Sequence, residues 1–551
     1  MPTSTEPADP NVWLLTKTDR ANPDTRVDGA HLGQQAWSEG NLVRPLIHGA
    51  TYFAELCEVI EATGDGDLIY FADWQGDADE LLTGEPGTEI GSVLARAEER
   101  GVDVRGLVWR SHWERIGFTA AENRRLGVEL QKRGAEALLD MRVRTGGSHH
   151  QKFVVIRHGS APRRDIAFVG GIDLCHSRRD DIEHQGDPQA ISMAKEYGDK
   201  PPWHDIQAAI QGPAVHDVET VFRERWEDRT PLSRNPFFVA RDRLRGMDVT
   251  ASPLPPQAPP PTPVDGGAHV VQLLRTYPHL RHGRTYPFAR RGERSVARGY
   301  TKALRRARSL VYLEDQYLWG KHVGDLFTGA LRENPDLRVI AVVPMFPDLG
   351  GVSRAPQQLG RRRAMLEILS SEPDRVAVYG IENDDSTPIY VHAKVCVVDD
   401  TWATIGSDNF NRRSWTHDSE LTAVVLDRDT GGRGHLGGQV SYGRRLRLTL
   451  SAEHLDRPIE QGMSPDHDAS LLEVMADSLE PRDMFMTYKR AAAALDDWHD
   501  QGKVGPRPPG RLRRLEPPKL GRIVRALALI PYLVLHDPDG RAPSMRRAGR
   551  Y

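Results

Sequence analysis

Two short stretches of the chain place a histidine and a lysine two residues apart, directly before a run of apolar residues. The first is His150 and Lys152 in "HHQKFVVI", and the second is His392 and Lys394 in "VHAKVCVVDD". Residues two apart on an extended chain project to the same side. An imidazole and an ammonium group that share one side of a strand end can bind an anion. Each stretch therefore predicts an anion-binding position.

The sequence that follows each stretch is also repeated. "HHQKFVVI" is followed by "AFVGGID", and "VHAKVCVVDD" is followed by "ATIGSDN". In both places an apolar strand, a hairpin and a second strand lead to a turn of small residues that carries Asp or Asn. A single HxK motif carries little information, but two copies in the same context indicate an internal duplication.

Length and composition are those of a globular protein with several domains. The chain has 551 residues, of which 39% are hydrophobic and 27% are charged, and its formal net charge is -4. The length predicts about three or four domains, and the charge balance gives no general attraction to nucleic acid. Cys57, Cys175 and Cys396 lack CxxC spacing, so they indicate neither a disulfide framework nor a cysteine zinc site. A reducing compartment fits this pattern.

The sequence shows no export signal and no apolar stretch long enough to cross a bilayer. The longest apolar stretch, "ALALIPYLVL" at 526–535, is short for a membrane span and contains Pro531. We therefore predict a cytoplasmic protein whose membrane contact is peripheral. The surrounding segment, "LGRIVRALALIPYLVLH", is predicted either to lie on a membrane surface or to pack on the second half of the chain.

The rest of the chain alternates between strand-like and helical patterns. Apolar runs such as "DLIYFADW" and "SLVYLEDQY" predict strands, whereas "AVHDVETVFRERW" and "SVARGYTKALRRA" have helical periodicity. This alternation predicts an α/β fold in which sheets are covered by helices. A proline-rich linker divides the chain into these predicted domains: an N-terminal extension (1–30), a first lobe (31–246), the linker (247–267), a second lobe (268–455) and a C-terminal appendage (456–551).

The duplicated motif resembles the signature of the phospholipase D superfamily, which is a pair of HxKxxxxD motifs. The second copy fits in full with His392, Lys394 and Asp399, followed by "IGSDNFNRRS" and "DSE". The first copy departs from the signature at Arg157, where Asp is expected, and Asp165 is a candidate to take its place in the turn. The blocks "GGIDL", "WHDI" and "YLEDQY" are similar to those of the larger, eukaryotic-like phospholipases D.

The resemblance implies two similar phospholipase D-type lobes, each a mixed β-sheet flanked by helices, with the active site at the lobe interface. It also implies a two-step reaction at a phosphodiester. His150 is expected to attack phosphorus and form a phosphohistidine, and His392 to protonate the leaving alcohol and then activate water or a second alcohol. Lys152 and Lys394 are expected to hold the non-bridging oxygens of the phosphate.

The same resemblance assigns supporting roles to residues downstream of the motifs. Asp205 and Glu420 are the carboxylates expected to orient the two imidazoles, and Asp399 is expected to support the turn after the second motif. Substrate-binding residues are expected in the turn that ends each repeat: Gly171, Asp173, Ser407 and Asn409.

No metal or nucleotide cofactor is predicted. The sequence contains no HExxH motif, no Walker loop and no compact cluster of Cys and His with the spacing of metal ligands. Single histidines within the family blocks are interpreted as hydrogen-bonded structural groups: His176, His204 and His417.

The predicted substrate is a phospholipid such as phosphatidylcholine, cleaved to phosphatidic acid and a free alcohol, with transfer to a second alcohol as an accompanying reaction. Three alternatives stay open: a phosphatidyltransferase similar to cardiolipin synthase, a phosphodiesterase acting on nucleic acid, and a scaffold without activity. We expect a monomer that acts at a peripheral membrane surface, uses water or an alcohol as acceptor, and has no nucleic-acid partner.

Overall fold

The computed structural model describes residues 8–31, 33, 35–111, 120–233, 235–280, 284–348, 350–427, 440–459, 462, 464–548 and 551. Its strands form two mixed sheets. The strands of the first half are β1 (Ser38–Ile47), β2 (Leu68–Asp73), β3 (Asp103–Trp109), β4 (Glu136–Asp140), β5 (Phe153–Arg157), β6 (Ile166–Gly170), β7 (Trp203–His204) and β8 (Ile206–Gln211). The remaining strands are β9 (His269–Tyr277), β10 (Glu293–Arg294), β11 (Leu310–Asp315), β12 (Arg338–Val342), β13 (Val376–Glu382), β14 (Pro388–Val391), β15 (Lys394–Val398), β16 (Trp402–Gly406), β17 (Glu420–Asp427) and β18 (Leu512–Arg514).

The two sheets have the same strand order. The first runs β4-β3-β2-β5-β6-β8-β1, with β2, β3 and β4 parallel and the other neighbours antiparallel. The second runs β13-β12-β11-β15-β16-β17-β9, again with three parallel strands followed by antiparallel neighbours. Strand β1 also pairs with β9, and β7 pairs with β14, so both pairings join the halves. The predicted mixed α/β class is confirmed.

Helices connect many of the strands. They are α1 (Pro10–Trp13), α2 (Lys17–Arg20), α3 (Gly49–Glu61), α4 (Ile90–Glu99), α5 (Ala120–Lys132), α6 (Ala214–Trp226), α7 (Pro236–Leu244), α8 (Ser295–Leu304), α9 (Lys321–Glu333), α10 (Arg354–Ser371), α11 (Arg412–Thr416), α12 (Tyr442–His454), α13 (Pro465–Val474), α14 (Pro481–Asp500), α15 (Arg522–Pro531) and α16 (Pro543–Arg547). Helix α15 continues as a π-helical turn, Tyr532–His536. Among the described residues, no helix combines the length and the apolar character that a bilayer crossing requires.

The sheets pack face to face, and helices cover their outer faces. Strands β6 and β8 lie against β16 and β17, and buried residues of both sheets, such as Val169 and Ala423, share one apolar core. Further cores lie between the first sheet and α3, α4 and α5, and between the second sheet and α8, α9 and α10. Strands β5 and β15 are thus buried on both faces, which explains why both read as continuous apolar runs.

The predicted linker and the predicted C-terminal appendage have defined places in this fold. The predicted linker, 247–267, contains no helix or strand and runs past α6, where Arg223 donates to the carbonyl oxygen of Pro255 at 2.7 Å. In the predicted C-terminal appendage, β18 extends the second sheet by pairing with β13, and α14 packs against both strands. The domain boundaries proposed above stay predictions.

Candidate active site

The first HxK motif lies where the chain enters β5. His150 donates its backbone N–H to the carbonyl oxygen of Ser419 at 3.0 Å, and its ring Nδ1 lies 2.9 Å from Oε2 of Glu420. Glu420 is the first residue of β17 and is fully buried. The carboxylate that orients this imidazole therefore comes from the second half of the chain.

The second HxK motif has the mirror arrangement. His392, just before β15, donates its backbone N–H to the carbonyl oxygen of His204 at 2.7 Å. Its Nδ1 lies 2.6 Å from Oδ2 of Asp205, in the first half. Each imidazole thus takes its carboxylate from the opposite half, and this crossing brings both motifs to one site between the sheets. Because a carboxylate engages Nδ1 of each ring, Nε2 is the atom available for chemistry.

Both lysines are buried and bend back toward their own motif. Nζ of Lys152 donates to the carbonyl oxygen of its motif histidine at 3.0 Å and lies 3.3 Å from Oδ1 of Asp173. Nζ of Lys394 also donates to the carbonyl oxygen of its motif histidine and lies 3.4 Å from Oε1 of Gln316. Lys152 is thus paired with a carboxylate, whereas Lys394 is held by neutral oxygens.

Burial dominates the electrostatics of the site. It lowers the pKa of Lys394 to about 8, although the carboxylate of Asp205 opposes this change. It also holds the pKa values of His150 and His392 well below their ordinary value, and the motif lysines add to that effect. Burial raises the pKa of Glu420 to about 8. An unpaired charge is unfavourable in this buried site. A bound phosphate would therefore stabilise the buried ammonium groups by supplying a negative charge.

The turns that end each repeat fix the two carboxylates. A Cβ atom on Gly171 would lie 2.2 Å from Oδ1 of Asp205, so this close approach requires glycine. Ser407 donates its hydroxyl to Oε2 of Glu420 at 2.6 Å. Asn409 is buried, and its Oδ1 has no hydrogen-bond partner among the described residues. Gly171 and Ser407 therefore act on the position of the carboxylates.

Asp399 lies at the opposite end of β15 from the site. Its Oδ1 accepts hydrogen bonds from the backbone N–H of Ser309 at 2.8 Å and of Leu310 at 3.0 Å, where β11 begins. In the first half, Arg157 holds the equivalent position and forms a 2.6 Å ion pair with Asp165. An ion pair thus replaces the missing aspartate at a place remote from the reacting groups.

Two buried aspartates that hold the turns were not predicted from the sequence. Asp73, at the end of β2, accepts from the backbone N–H of Leu174 at 2.9 Å. Asp315, at the end of β11, accepts from the backbone N–H of Phe410 at 3.0 Å. The two aspartates occupy equivalent positions in the repeat. The matching segments "YFAD" and "YLED" were the signal that could have found them.

Two tryptophans that were not predicted from the motifs lie near the two motif histidines. The ring of Trp203 lies 4.9 Å from that of His392, and the guanidinium of Arg178 lies 4.0 Å from the centre of the Trp203 ring. In the first half, the ring of Trp74 lies 6.3 Å from that of His150. Aromatic walls and one arginine therefore border the site in addition to the predicted residues.

A buried cluster of histidines and glutamates lies directly behind the Asp205–His392 pair. His204 precedes Asp205, and its Nε2 lies 2.6 Å from Oε2 of Glu314 while its Nδ1 lies 3.2 Å from Oε1 of Glu453. Although burial opposes protonation, the two carboxylates raise the pKa of His204 to about 10. The complete cluster is His48, His184, His204, His454, Glu314 and Glu453.

The donor types of this cluster could hold a cation such as Zn²⁺. Four of its imidazole–carboxylate distances, however, are hydrogen bonds of 2.6 to 3.0 Å. They are shorter than the roughly 3.3 Å that separates ligand atoms around a tetrahedral Zn²⁺. We therefore describe the cluster as a hydrogen-bonded charge network that connects the two halves. Its members come from five separate segments, so sequence spacing gave no sign of it.

The two halves of the fold each contribute an HxK motif and a carboxylate to one buried site. A family model described as "Phospholipase D" matches residues 63–324, and one described as "Cardiolipin synthase, PLD-like domain" matches residues 303–432. The chain belongs to the phospholipase D superfamily.

Similar proteins cover most of the chain. Phospholipase D alpha 1 of Cynara cardunculus is 26% identical over 545 residues, which cover 74% of this chain and 65% of that protein. Phospholipase D alpha 2 of Oryza sativa subsp. japonica is 26% identical over 556 residues, which cover 77% of this chain and 66% of that protein. The chain thus spans slightly less than two thirds of the length of these curated relatives. Among solved structures, the crystal structure of phosphatidylserine synthase from Haemophilus influenzae Rd KW20 has a TM-score of 0.49 and 14% identity, over 81% of this chain and 94% of that chain.

Proposed function

We propose that the chain is a phospholipase D-type phosphodiesterase that hydrolyses phospholipids, such as phosphatidylcholine, to phosphatidic acid and a free alcohol. The observation that carries this proposal is the crossed pairing of the two motif histidines with carboxylates of the opposite half, at 2.9 and 2.6 Å. Membership of the superfamily and the names of the plant relatives support a phospholipid as the substrate.

The substrate phosphate is proposed to bind at the buried ammonium groups of Lys152 and Lys394. An ammonium group has three donors, and each lysine keeps donors beyond the bond to its own motif. Charge-assisted hydrogen bonds to the non-bridging oxygens are strong in a site that excludes water. The amide of Asn409 adds a neutral donor. These contacts neutralise the phosphate so that a nucleophile can approach phosphorus.

In the first step, Nε2 of His150 attacks phosphorus. A P–N bond forms while the P–O bond to the head-group alcohol breaks, and His392, which the bound phosphate and Asp205 hold protonated on both ring nitrogens, gives its Nε2 proton to the departing oxygen. Glu420 stabilises the positive charge that develops on the attacking imidazole. Asp205 does the same for the other imidazole while that ring holds the proton.

In the second step, the phosphohistidine is cleaved. His392 removes a proton from a water molecule, the water oxygen attacks phosphorus, and the P–N bond breaks. This returns His150 to its starting form and releases phosphatidic acid. Two successive displacements give net retention of configuration at phosphorus.

Transfer to an alcohol is the second candidate function. An alcohol that replaces water in the second step would receive the phosphatidyl group through the same covalent intermediate. The observation that favours this reaction is the match of residues 303–432 to the family model described as "Cardiolipin synthase, PLD-like domain".

Incubation of the purified chain with phosphatidylcholine, ethanol and a chelator tests both reactions. We expect phosphatidic acid and phosphatidylethanol to form, with no effect of the chelator. His150→Asn and His392→Asn should each abolish both products. His216→Asn is the matched control, because His216 lies on α6 and bonds to the carbonyl oxygen of Ala258 in the linker. Cleavage of DNA without turnover of lipid would overturn the proposal.

A further inference from the structure

The segment that includes α15 exposes an unusual concentration of large apolar side chains. Of the sixteen exposed large apolar side chains among the described residues, eight lie between 523 and 535. Contiguous exposed apolar surface of this kind marks an interaction site in a soluble domain. We call these eight side chains the α15 surface: Ile523, Val524, Leu527, Leu529, Ile530, Leu533, Val534 and Leu535.

The opposite face of the same segment anchors it to the protein. Ala528 and Tyr532 are buried against Trp319 and Leu359. The hydroxyl of Tyr532 donates to Oδ2 of Asp537 at 2.7 Å. The helix is therefore held by its inner face, and its outer face, where Leu527 is 73% exposed, serves no internal packing.

The charges around the α15 surface indicate what covers it. Residues 517–536 contain Lys519, Arg522 and Arg525 and no acidic residue. An apolar face with basic neighbours suits a bilayer that contains anionic lipids. A second copy of the chain fits less well, because a two-fold interface would bring the same basic residues together. The segment Arg522–His536 is also too short, at about 22 Å, to cross a bilayer core of about 30 Å.

We propose that the α15 surface docks the chain on the surface of a bilayer that contains anionic phospholipids. The position of the surface relative to the site supports this. Arg413 donates to the carbonyl oxygen of Leu535 at 2.7 Å, to that of Gly146 at 3.0 Å and to Oδ2 of Asp418 at 2.6 Å. Gly146 shortly precedes His150. The α15 surface is thus joined by one side chain to the loops that lead into the site.

A small cleft lies between residues next to the second motif and the segment that leads into α15. Its walls include Tyr317, Trp319 and Phe346, and it extends from Gln316 to Pro518. Gln316 is the side chain that contacts the lysine of the second motif, and Pro518 shortly precedes α15. Docking through the α15 surface would therefore hold the bilayer close to the residues around the second motif. This part of the inference rests on the proposed function.

Vesicle flotation of the full chain tests the docking directly. The vesicles are phosphatidylcholine alone, and phosphatidylcholine mixed with phosphatidylglycerol. The test variant is Leu527→Ser/Ile530→Ser, and the matched control is Phe237→Ser/Leu244→Ser, which changes two exposed apolar residues at the ends of α7. We expect the wild type and the control to float with the mixed vesicles, and the test variant to bind at least about tenfold more weakly.

Turnover of a short-chain, water-soluble phosphatidylcholine separates this inference from the proposed function. The test variant should keep wild-type turnover of this substrate and lose turnover of the same head group in vesicles. Vesicle binding without any turnover would support the docking and contradict the proposed activity. The docking inference is overturned if the test variant floats as well as the wild type, or if sedimentation velocity shows that the double substitution only dissociates a dimer.

Discussion

Replacement of Lys394 by methionine should stabilise the fold while it abolishes phosphodiester cleavage. The side chain is 1% exposed, and burial lowers the pKa of its ammonium group to about 8 from an ordinary 10.5. Methionine has nearly the same length and carries no charge. The substitution therefore removes a charged group whose burial destabilises the folded state.

The size of the effect follows from that pKa. A change from 10.5 to about 8 corresponds to about 3 kcal/mol of destabilisation when the lysine is protonated. Loss of the hydrogen bond to the motif carbonyl and of the contact with Gln316 offsets about 1 kcal/mol or more. The Lys394→Met variant should thus gain about 1 to 2 kcal/mol in free energy of unfolding at pH 7.

The pH dependence of the free energy of unfolding checks independently that Lys394→Met stabilises the fold. Between pH 8 and 10.5 the unfolded chain keeps the proton on Lys394 and the folded chain does not, so the stability of the wild type should rise with pH over this interval. The methionine variant lacks this rise. Its advantage should be full below pH 8 and should disappear by about pH 10.5.

Urea unfolding of both proteins across this pH range is the assay, with Lys152→Met as the contrast. Lys152 pairs with Asp173 at 3.3 Å, and its removal leaves that buried carboxylate with the more distant Arg178, at 3.6 Å, as a cationic partner. That variant should lose about 3 kcal/mol. A Lys394→Met protein that is less stable than the wild type at pH 7, or whose advantage persists above pH 10.5, would refute the reasoning.

Two further predictions concern the residues that position the carboxylates. Gly171→Ala should lower the turnover of phosphatidylcholine more than about tenfold, because the new Cβ would lie 2.2 Å from Oδ1 of Asp205. Gly64→Ala, which meets no atom within 4 Å, should leave turnover unchanged, and equal effects would contradict the argument. Ser407→Ala removes a hydrogen bond that favours the ionised form of Glu420. The pKa of Glu420 should rise, and the pH–rate profile should move to higher pH; an unmoved profile would rule out this role.

The core of the repeat could be predicted from the sequence because its signals are local. Strands β5 and β15 are continuous apolar runs, and the helix predicted at 214–226 has the observed bounds of α6. The carboxylates Asp205 and Glu420 were also identified in advance. It was not predicted that each carboxylate pairs with the histidine of the other half. A carboxylate that follows one motif in the sequence gives no sign that it lies beside the other motif in the fold.

Other features depend on tertiary structure and left weaker signals. Strand β1 contains Gly40 and Pro45, which usually mark turns, and its pairing with both sheets overrides that preference. The charge network behind Asp205 draws on residues as distant as His48 and Glu453. The sequence around 523–535 allowed either packing or membrane contact, and only the exposure of individual side chains distinguishes the two.

The most direct test of the proposed mechanism is capture of the covalent intermediate. The chain is mixed with phosphatidylcholine, quenched in alkaline denaturant within the first turnovers, digested and analysed by mass spectrometry. We expect the peptide that contains His150 to carry a phosphatidyl group, and His150→Asn to carry none. Turnover without any modified histidine, or with inversion at phosphorus, would contradict the account.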